Sequence, residues 1–249
     1  MSKKIDRTRE VKINNFGSRM WIKGYFSNLN ITVEFDNGCI VYNKKYHHFN
    51  VGKVMSIKCK TVYGVGFLNI EQSTLKRTKS YTTWYSMVER CYSENFYKKY
   101  PSYIGCTLYE DWHDYYIFKK WYDENYYEIE GEIICLDKDI LVKGNKIYSP
   151  NTCVFAPNRV NCLILNVKAK RGKYPIGTYL SKSNKFIARC VDEKGKYISL
   201  GSFNTANEAF LSYKAYKENI IKKVSEIYKN KIPNILYQAL QNYKIEITD

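Results

Sequence analysis

The sequence predicts an α+β protein in three parts: a small N-terminal β barrel, a central strand–strand–helix core and a C-terminal three-stranded sheet packed on a long helix. Three observations support this fold class. Short runs alternate between apolar and polar residues, turn-forming residues separate the runs, and a helix start signal at Thr205 precedes a long apolar stripe. We place the three parts at residues 1–62, 63–165 and 166–249.

The composition favours a folded protein with a polyanionic partner. The 249 residues include 40 Lys and Arg against 24 Asp and Glu, which gives a formal net charge of +16, and 45% are hydrophobic. Such a chain can form cores, and its charge makes nucleic acid the first candidate partner. No apolar run is long enough to span a membrane and the start lacks a secretory signal, so we expect a cytoplasmic protein without a membrane partner.

The first part predicts a small SH3-like β barrel. Residues 20–22 and 31–35 have the character of strands, and the turn at 36–38 leads into a further strand at 39–42, which together indicate a β-hairpin. Further apolar residues follow the hairpin and can close the barrel over residues 11–60. These residues are Phe49, Val51, Val54 and Ile57.

The central part predicts two helices followed by the strand–strand–helix core. Trp84, Met87 and Cys91 recur at helical steps, and a second helix begins near Asp114. The pattern at 136–161 then indicates a strand, a turn, a second strand and a helix. The eight cysteines include no pair at two-residue spacing, so we expect them to be reduced and mostly buried rather than zinc ligands.

The last part predicts three strands and a helix. Strand patterns at 176–180, 186–191 and 197–203 lie in a segment that is rich in lysine and arginine, and Thr205 and Glu208 have the spacing of a capping box.

Alternation along the second of these strands turns Phe186, Ala188 and Cys190 toward the helix and leaves Arg189 on the open face. An open sheet that carries Arg, Lys, Tyr and Ser is suited to double-stranded DNA, because Arg can bond guanine edges while Lys and hydroxyl groups hold phosphates. The predicted DNA-binding residues are Lys170, Arg171, Tyr179, Ser181, Lys182, Lys185, Arg189, Tyr197 and Ser199.

Four motifs follow one another in this part: Tyr174-Pro175-Ile176-Gly177, Lys185-Phe186-Ile187-Ala188-Arg189, Leu200-Gly201-Ser202-Phe203-Asn204-Thr205 and Glu208-Ala209. In this order they resemble the Apetala-2/ethylene-response-factor (ERF) type of DNA-binding domain and its phage integrase and homing-endonuclease relatives, over about residues 172–228. The resemblance implies a sheet that binds DNA. The plant domains carry several arginines and tryptophans where this chain has Ser181, Ser183 and Ser199.

The central part carries the motif Leu136-Asp137-Lys138-Asp139-Ile140, the segment 144–161 with Tyr148-Ser149-Pro150-Asn151, and Trp84-x-x-Met87-x-x-Arg90-Cys91-Tyr92 upstream. Together these motifs resemble the phage HNH endonuclease family, whose ββα fold is the His-Me finger. The resemblance implies cleavage of DNA with one Mg²⁺. It implies Asp137, Asn151 and Asn161 as metal ligands and Asp137, Lys138, Asp139 and Asn161 as catalytic residues, with Lys138 in place of the histidine base.

Two interpretations follow from these residues. In the first, the chain is a phage-type DNA-binding HNH-like endonuclease or nickase of the bacterial host cytoplasm, with Mg²⁺ at Asp137. In the second, it is a non-enzymatic phage protein built on a degenerate HNH scaffold, and Asp137 and Asp139 are turn and cap residues. Such a protein is either a DNA-binding regulator or an inhibitor of a host defence nuclease, which adds a host or phage protein as a partner.

Overall fold

The computed structural model describes residues 6–70, 78–164, 173–192 and 195–249, and these form a mixed α+β protein with several small sheets and seven α-helices. No helix within these ranges is both long and apolar enough to cross a membrane. The chain divides into two compact units, each of which takes in residues from two stretches of sequence. The first consists of Met1–Asn125 and Lys146–Pro150, and the second of Tyr126–Asn145 and Asn151–Asp249.

A four-stranded antiparallel sheet begins the first unit. Its strands are β1 (Val11–Ile13), β2 (Arg19–Ser27), β3 (Asn30–Phe35) and β4 (Ile40–Lys44), paired in that order. The turn between β3 and β4 is the one predicted from sequence, and Gly38 adopts a φ of 78° there. Glycine accepts this left-handed conformation without steric cost, which explains the tight hairpin.

The predicted barrel is wrong, because this sheet is open. Within the described residues β1 and β4 are its two edges, and the chain after β4 forms helix α1 (Tyr46–Asn50) and coil instead of a further strand. Phe49 and Val54 are buried against the sheet, whereas Val51 and Ile57 are exposed. The apolar residues therefore cover one face of the sheet without extending it.

The remainder of the first unit is mainly helical. Its elements are α2 (Lys79–Tyr92), α3 (Glu94–Lys99) and α4 (Tyr115–Asn125), together with a short parallel pair of strands, β5 (Thr107–Leu108) and β7 (Ile147–Tyr148). Large aromatic side chains fill the space between α2 and α4. Trp84, Trp112, Tyr115 and Phe118 are all buried, and the Trp84 indole donates a hydrogen bond to the Trp112 carbonyl at 2.7 Å.

The second unit begins with a strand–strand–helix arrangement, in the order predicted from sequence. Strand β6 (Ile134–Asp137) pairs antiparallel with β8 (Val154–Pro157), and helix α5 (Asn158–Ile164) starts at the residue after β8. Asp137 lies opposite Val154 at the end of β6.

The C-terminal sheet contains β9 (Thr178–Leu180), β10 (Phe186–Val191) and β11 (Tyr197–Phe203), and the strands lie in the order β11-β10-β9. Helix α6 (Ala206–Tyr228) packs against all three strands, and α7 (Asn234–Gln241) follows Pro233. The predicted strand and helix positions agree with these elements.

One apolar core joins the two parts of the second unit. Ile140, Val154, Ala156 and Val160 from the strand–strand–helix part are buried in the same cluster as side chains from β10, α6 and α7. The partners from those elements include Cys190, Phe210, Ile220, Ile221, Val224, Leu236 and Leu240. The core therefore includes residues on both sides of the predicted boundary near residue 165.

Candidate nucleic-acid interface

Strand β10 separates a buried face from an open face. Ala188 and Cys190 are buried on the side that α6 covers, while Arg189 between them is exposed. The pairing of β10 with β11 shifts register between Ala188 and Arg189, so that Arg189 lies opposite Ser199. Side chains that alternate along the strand therefore direct Arg189 away from the core.

Arg189 is held by an aromatic neighbour. Its guanidinium carbon lies 4.3 Å from the centre of the Tyr197 ring. Tyr197 lies on β11, two residues before Ser199. Tyr197 is 63% exposed, and this cation–π contact contributes on the order of 0.5–1 kcal/mol at an exposed site. Arg189 is exposed, and among the residues that the structure describes its guanidinium has no carboxylate or hydrogen-bond partner.

Two more of the predicted residues lie on the same open face. Tyr179 on β9 is 45% exposed and lies opposite Ile187 on β10. Ile187 is two residues before Arg189, so the side chains of Tyr179 and Arg189 share a face of the sheet. Ser199 is exposed opposite Arg189. The structure thus brings Tyr179, Arg189, Tyr197 and Ser199 onto one surface, which we call the open sheet face.

The β9–β10 turn carries the next three predicted residues. Ser181 Oγ accepts a hydrogen bond from the Lys185 amide at 3.2 Å, and the Lys185 ammonium donates to Asn204 Oδ1 at 2.5 Å. Lys182 is exposed at the tip of the turn. Ser181 therefore shapes the turn and Lys185 ties it to the residue before the α6 cap, while Lys182 faces solvent. Lys170 and Arg171 lie outside the described residues.

Three of the four predicted catalytic residues, Asp137, Lys138 and Asp139, lie at the end of β6 and in the turn that follows it, which we call the Asp137 loop. The fourth, Asn161, lies on α5. Asp137 Oδ1 accepts hydrogen bonds from the amides of Asp139 and Ile140, at 2.7 and 2.8 Å. Burial raises the pKa of Asp137, and these two amides oppose that rise because they stabilise the carboxylate. Asp137 thus acts as a backbone cap in the loop.

Lys138 closes the same loop from inside. Its buried ammonium donates to Asp139 Oδ2 at 2.7 Å and to the Asn145 carbonyl at 2.6 Å, and Asn145 Nδ2 donates to the Lys138 carbonyl at 2.9 Å. An ammonium group is therefore already placed beside Asp139.

The predicted metal ligands are spread over three elements. Asp137 ends β6, Asn151 lies in an exposed turn before β8, and Asn161 is partly buried on α5. Carboxylate and amide oxygens suit Mg²⁺, but Asp137 Oδ1 is engaged by two amides and Lys138 supplies the cation at Asp139. The carboxylate oxygen that fits Mg²⁺ in this set is therefore Asp137 Oδ2, to which Asn151 or Asn161 would add an amide oxygen. Within the described ranges, no three His, Cys, Asp or Glu side chains are grouped to hold a metal.

The chain's last residues lie close to this loop, which the sequence did not indicate. Lys143 donates to the Lys244 carbonyl at 2.9 Å and forms an ion pair with Asp249. Burial, together with the carboxylates of Asp249, Asp137 and Asp139, raises the pKa of Tyr243 to about 12. No local pattern predicts this packing, because about a hundred residues separate the two segments.

Three acidic residues, Glu110, Asp111 and Asp114, line a cleft in the first unit. The cleft has a volume of about 580 Å³, and Phe67, Leu108 and Ile117 form part of its wall beside Asp114 and His113. Both nitrogens of His113 are engaged, Nε2 with the Tyr92 hydroxyl at 2.9 Å and Nδ1 with the Glu110 carbonyl at 2.8 Å. These bonds fix the ring in place.

Comparisons with protein families, with curated proteins and with solved structures found no match to this chain.

Proposed function

We propose that the chain binds double-stranded DNA through the open sheet face of its C-terminal part. The observation that carries this proposal is Arg189, which is exposed, stacked on Tyr197 and without a carboxylate partner among the described residues. An arginine in this state has donors for guanine edges or phosphates.

The shape and charge of the surroundings support a duplex as the partner. A small sheet backed by a helix is an element that enters the major groove in several DNA-binding folds. Tyr179 and Ser199 add hydroxyl groups to the face, and Lys182 lies exposed at its rim. The net charge of +16 favours a polyanion over a neutral partner. The resemblance of residues 172–228 to Apetala-2/ERF-type domains is a further argument for DNA as the partner.

Our first choice is a DNA-binding protein without cleavage activity, such as a regulator or an inhibitor of a host defence nuclease. The Asp137 loop favours this choice, because its polar groups are used to hold the loop together. Asp137 caps two amides and Lys138 neutralises Asp139. These are the roles that turn and cap residues have on a retained scaffold.

The second candidate is an HNH-like endonuclease or nickase. The arrangement of β6, β8 and α5 favours it, since a strand–strand–helix unit with an aspartate at the end of its first strand is what the HNH resemblance implies. In this case Asp137 Oδ2 with Asn151 or Asn161 would hold Mg²⁺, which supplies charge stabilisation for phosphodiester cleavage.

Fluorescence anisotropy with a labelled duplex tests the primary proposal. We expect Arg189→Ala to weaken binding by roughly 5- to 100-fold, as for the loss of one arginine contact to DNA. Arg19→Ala is the matched control, because Arg19 is also an exposed arginine on an antiparallel strand, but in the first unit. Tyr197→Phe keeps the stacking ring and should retain most of the affinity. Equal affinities of Arg189→Ala and Arg19→Ala would refute the open sheet face as the binding site.

A supercoiled-plasmid assay with Mg²⁺ separates the two candidates. Asp137→Asn is the informative variant, because its side-chain oxygen can still accept the two amide hydrogen bonds while the charge is lost. We expect intact plasmid from both proteins together with a salt-sensitive gel shift. Nicking by the native chain that disappears in Asp137→Asn would instead establish the nuclease.

A further inference from the structure

Two cysteines of the second unit converge on one side chain. The thiols of Cys135 and Cys162 each donate a hydrogen bond to Asn158 Oδ1, with a sulfur–oxygen distance of 3.7 Å in both cases. Because both sulfurs contact the same oxygen atom, they are separated by at most twice that distance.

The local fold explains why the two thiols meet. Asn158 and Cys162 are four residues apart on α5, so they lie on the same face of the helix. The backbone N–H of Asn158 donates a hydrogen bond to the Ile133 carbonyl at 2.7 Å. This bond connects the start of α5 to the residue just before β6. Cys135 is the second residue of β6, and its thiol contacts this helix face.

The two thiols differ from most of the other cysteines in accessibility. Cys162 is exposed and Cys135 is partly buried, whereas Cys59, Cys91, Cys106, Cys153 and Cys190 are buried. An oxidant in solution therefore reaches Cys162 first. Cys135 is the thiol that can react next, because its sulfur contacts the same Asn158 oxygen as the sulfur of Cys162.

We propose that Cys135 and Cys162 form a reversible redox pair that hydrogen peroxide oxidises to a disulfide. The Cys162 thiolate attacks the peroxide O–O bond, which breaks to give a sulfenic acid and, after protonation, water. The Cys135 thiolate then attacks the sulfenic sulfur. The S–S bond forms, and hydroxide leaves and takes up a proton to become a second water. The peroxide is reduced by two electrons and the two thiols are oxidised together, and an external dithiol reverses the change.

Peptide mapping after hydrogen peroxide treatment tests this proposal directly. Trypsin releases Cys135 in the peptide 121–138 and Cys162 in the peptide 160–168, and each contains no other cysteine. We expect these two peptides to appear linked under non-reducing conditions, in protein that runs as a monomer, and to separate after reduction. The linked pair should be absent from Cys135→Ser and Cys162→Ser. Cys39, which lies alone in the peptide 24–44, is the control thiol and should stay unlinked.

A second measurement examines the distance between the thiols without oxidation. Phenylarsine oxide condenses with two neighbouring thiols and releases water, so the reduced protein should bind one equivalent and lose it to an added dithiol. Each serine variant should fail to bind. The proposal is overturned if peroxide leaves Cys135 and Cys162 unlinked, or if the arsenical does not protect both thiols of the native chain from alkylation.

Discussion

Arg189 and Asp137 illustrate two opposite uses of a charged residue in one chain. The Arg189 guanidinium stacks on the Tyr197 ring at an exposed position of β10. The Asp137 carboxylate is turned inward, where two amides bond to it and burial opposes its ionisation. The first residue is available for recognition, whereas the second contributes to holding a loop.

Asp137 gives the stability of the chain a specific pH dependence. Because burial raises the pKa of Asp137, the native state binds its proton more readily than the unfolded state does. Asp139 adds to this rise and Lys138 opposes it. The contribution of Asp137 to the free energy of unfolding therefore falls as the pH rises from about 4, the ordinary carboxyl value, through the native pKa.

Asp137→Asn should remove that dependence. We expect the variant to lie within about 1 kcal/mol of the native chain at pH 4, since its side-chain oxygen still accepts the amide bonds, and to gain relative stability at pH 7. Urea unfolding at the two pH values measures the difference. Asp36→Asn, in the exposed turn after β3, is the control variant. It measures how the loss of one exposed carboxylate changes the free energy of unfolding at the two pH values. A variant that loses relative stability at pH 7 would show that the Asp137 charge stabilises the loop.

Helix α6 is the element that decides which face of the C-terminal sheet is open. It starts at a capping box in which Thr205 Oγ1 accepts from the Glu208 amide at 3.2 Å, while Glu208 accepts from the Thr205 amide at 3.2 Å. Its buried residues then cover the side of β10 that carries Ala188 and Cys190. Because α6 covers the face of β10 that carries Ala188 and Cys190, Arg189 lies on the opposite, open face.

Thr205→Ala should destabilise the second unit by about 1 kcal/mol, the usual cost of losing an N-cap hydroxyl. Thermal or urea unfolding measures this change. Thr82→Ala is the matched control, because Thr82 is an exposed threonine inside α2 whose hydroxyl bonds back to the Thr78 carbonyl. Similar effects of the two substitutions would mean that the box does not contribute as a cap.

The C-terminal elements could be predicted because their signals are local. Alternation at 186–191 and the spacing of Thr205 and Glu208 depend on neighbouring residues alone. The barrel was wrong because apolar residues such as Phe49 carry no information about whether they cover a sheet or extend it. The convergence of Cys135 and Cys162 was not predictable either, since it depends on how α5 lies against β6. The same holds for the position of Tyr243 near Asp137.

At the scale of the whole molecule, one hydrophobic core stabilises the second unit. It joins the strand–strand–helix part to the C-terminal sheet and helices, which the sequence analysis placed in two separate parts. Ile140, Val154 and Val160 are buried in the same cluster as Ile220 and Leu236. Each such side chain contributes on the order of 1.5–3 kcal/mol when it is fully buried. The sheet with α6 therefore depends on the strand–strand–helix part for its stability.

This dependence predicts how fragments of the chain behave. A fragment 126–249 retains the whole core and should unfold cooperatively, whereas a fragment 166–249 lacks the residues that cover α6 and should bind a hydrophobic dye without a cooperative transition. Circular dichroism on heating and dye fluorescence distinguish these states. A cooperative transition in fragment 166–249 would show that the shared core is dispensable for the sheet.

The shared core also affects how genetic screens of this protein should be read. Val160 is fully buried in α5, and shortening it to alanine would cost about 2 kcal/mol in a core that also supports β10. In a screen for the DNA binding that we propose, such a variant would score as deficient although its side chain lies in the core and not on the open sheet face. A map of recognition drawn from loss-of-function alleles alone would thus include interior positions, and only alleles with normal melting behaviour report on the contact surface itself.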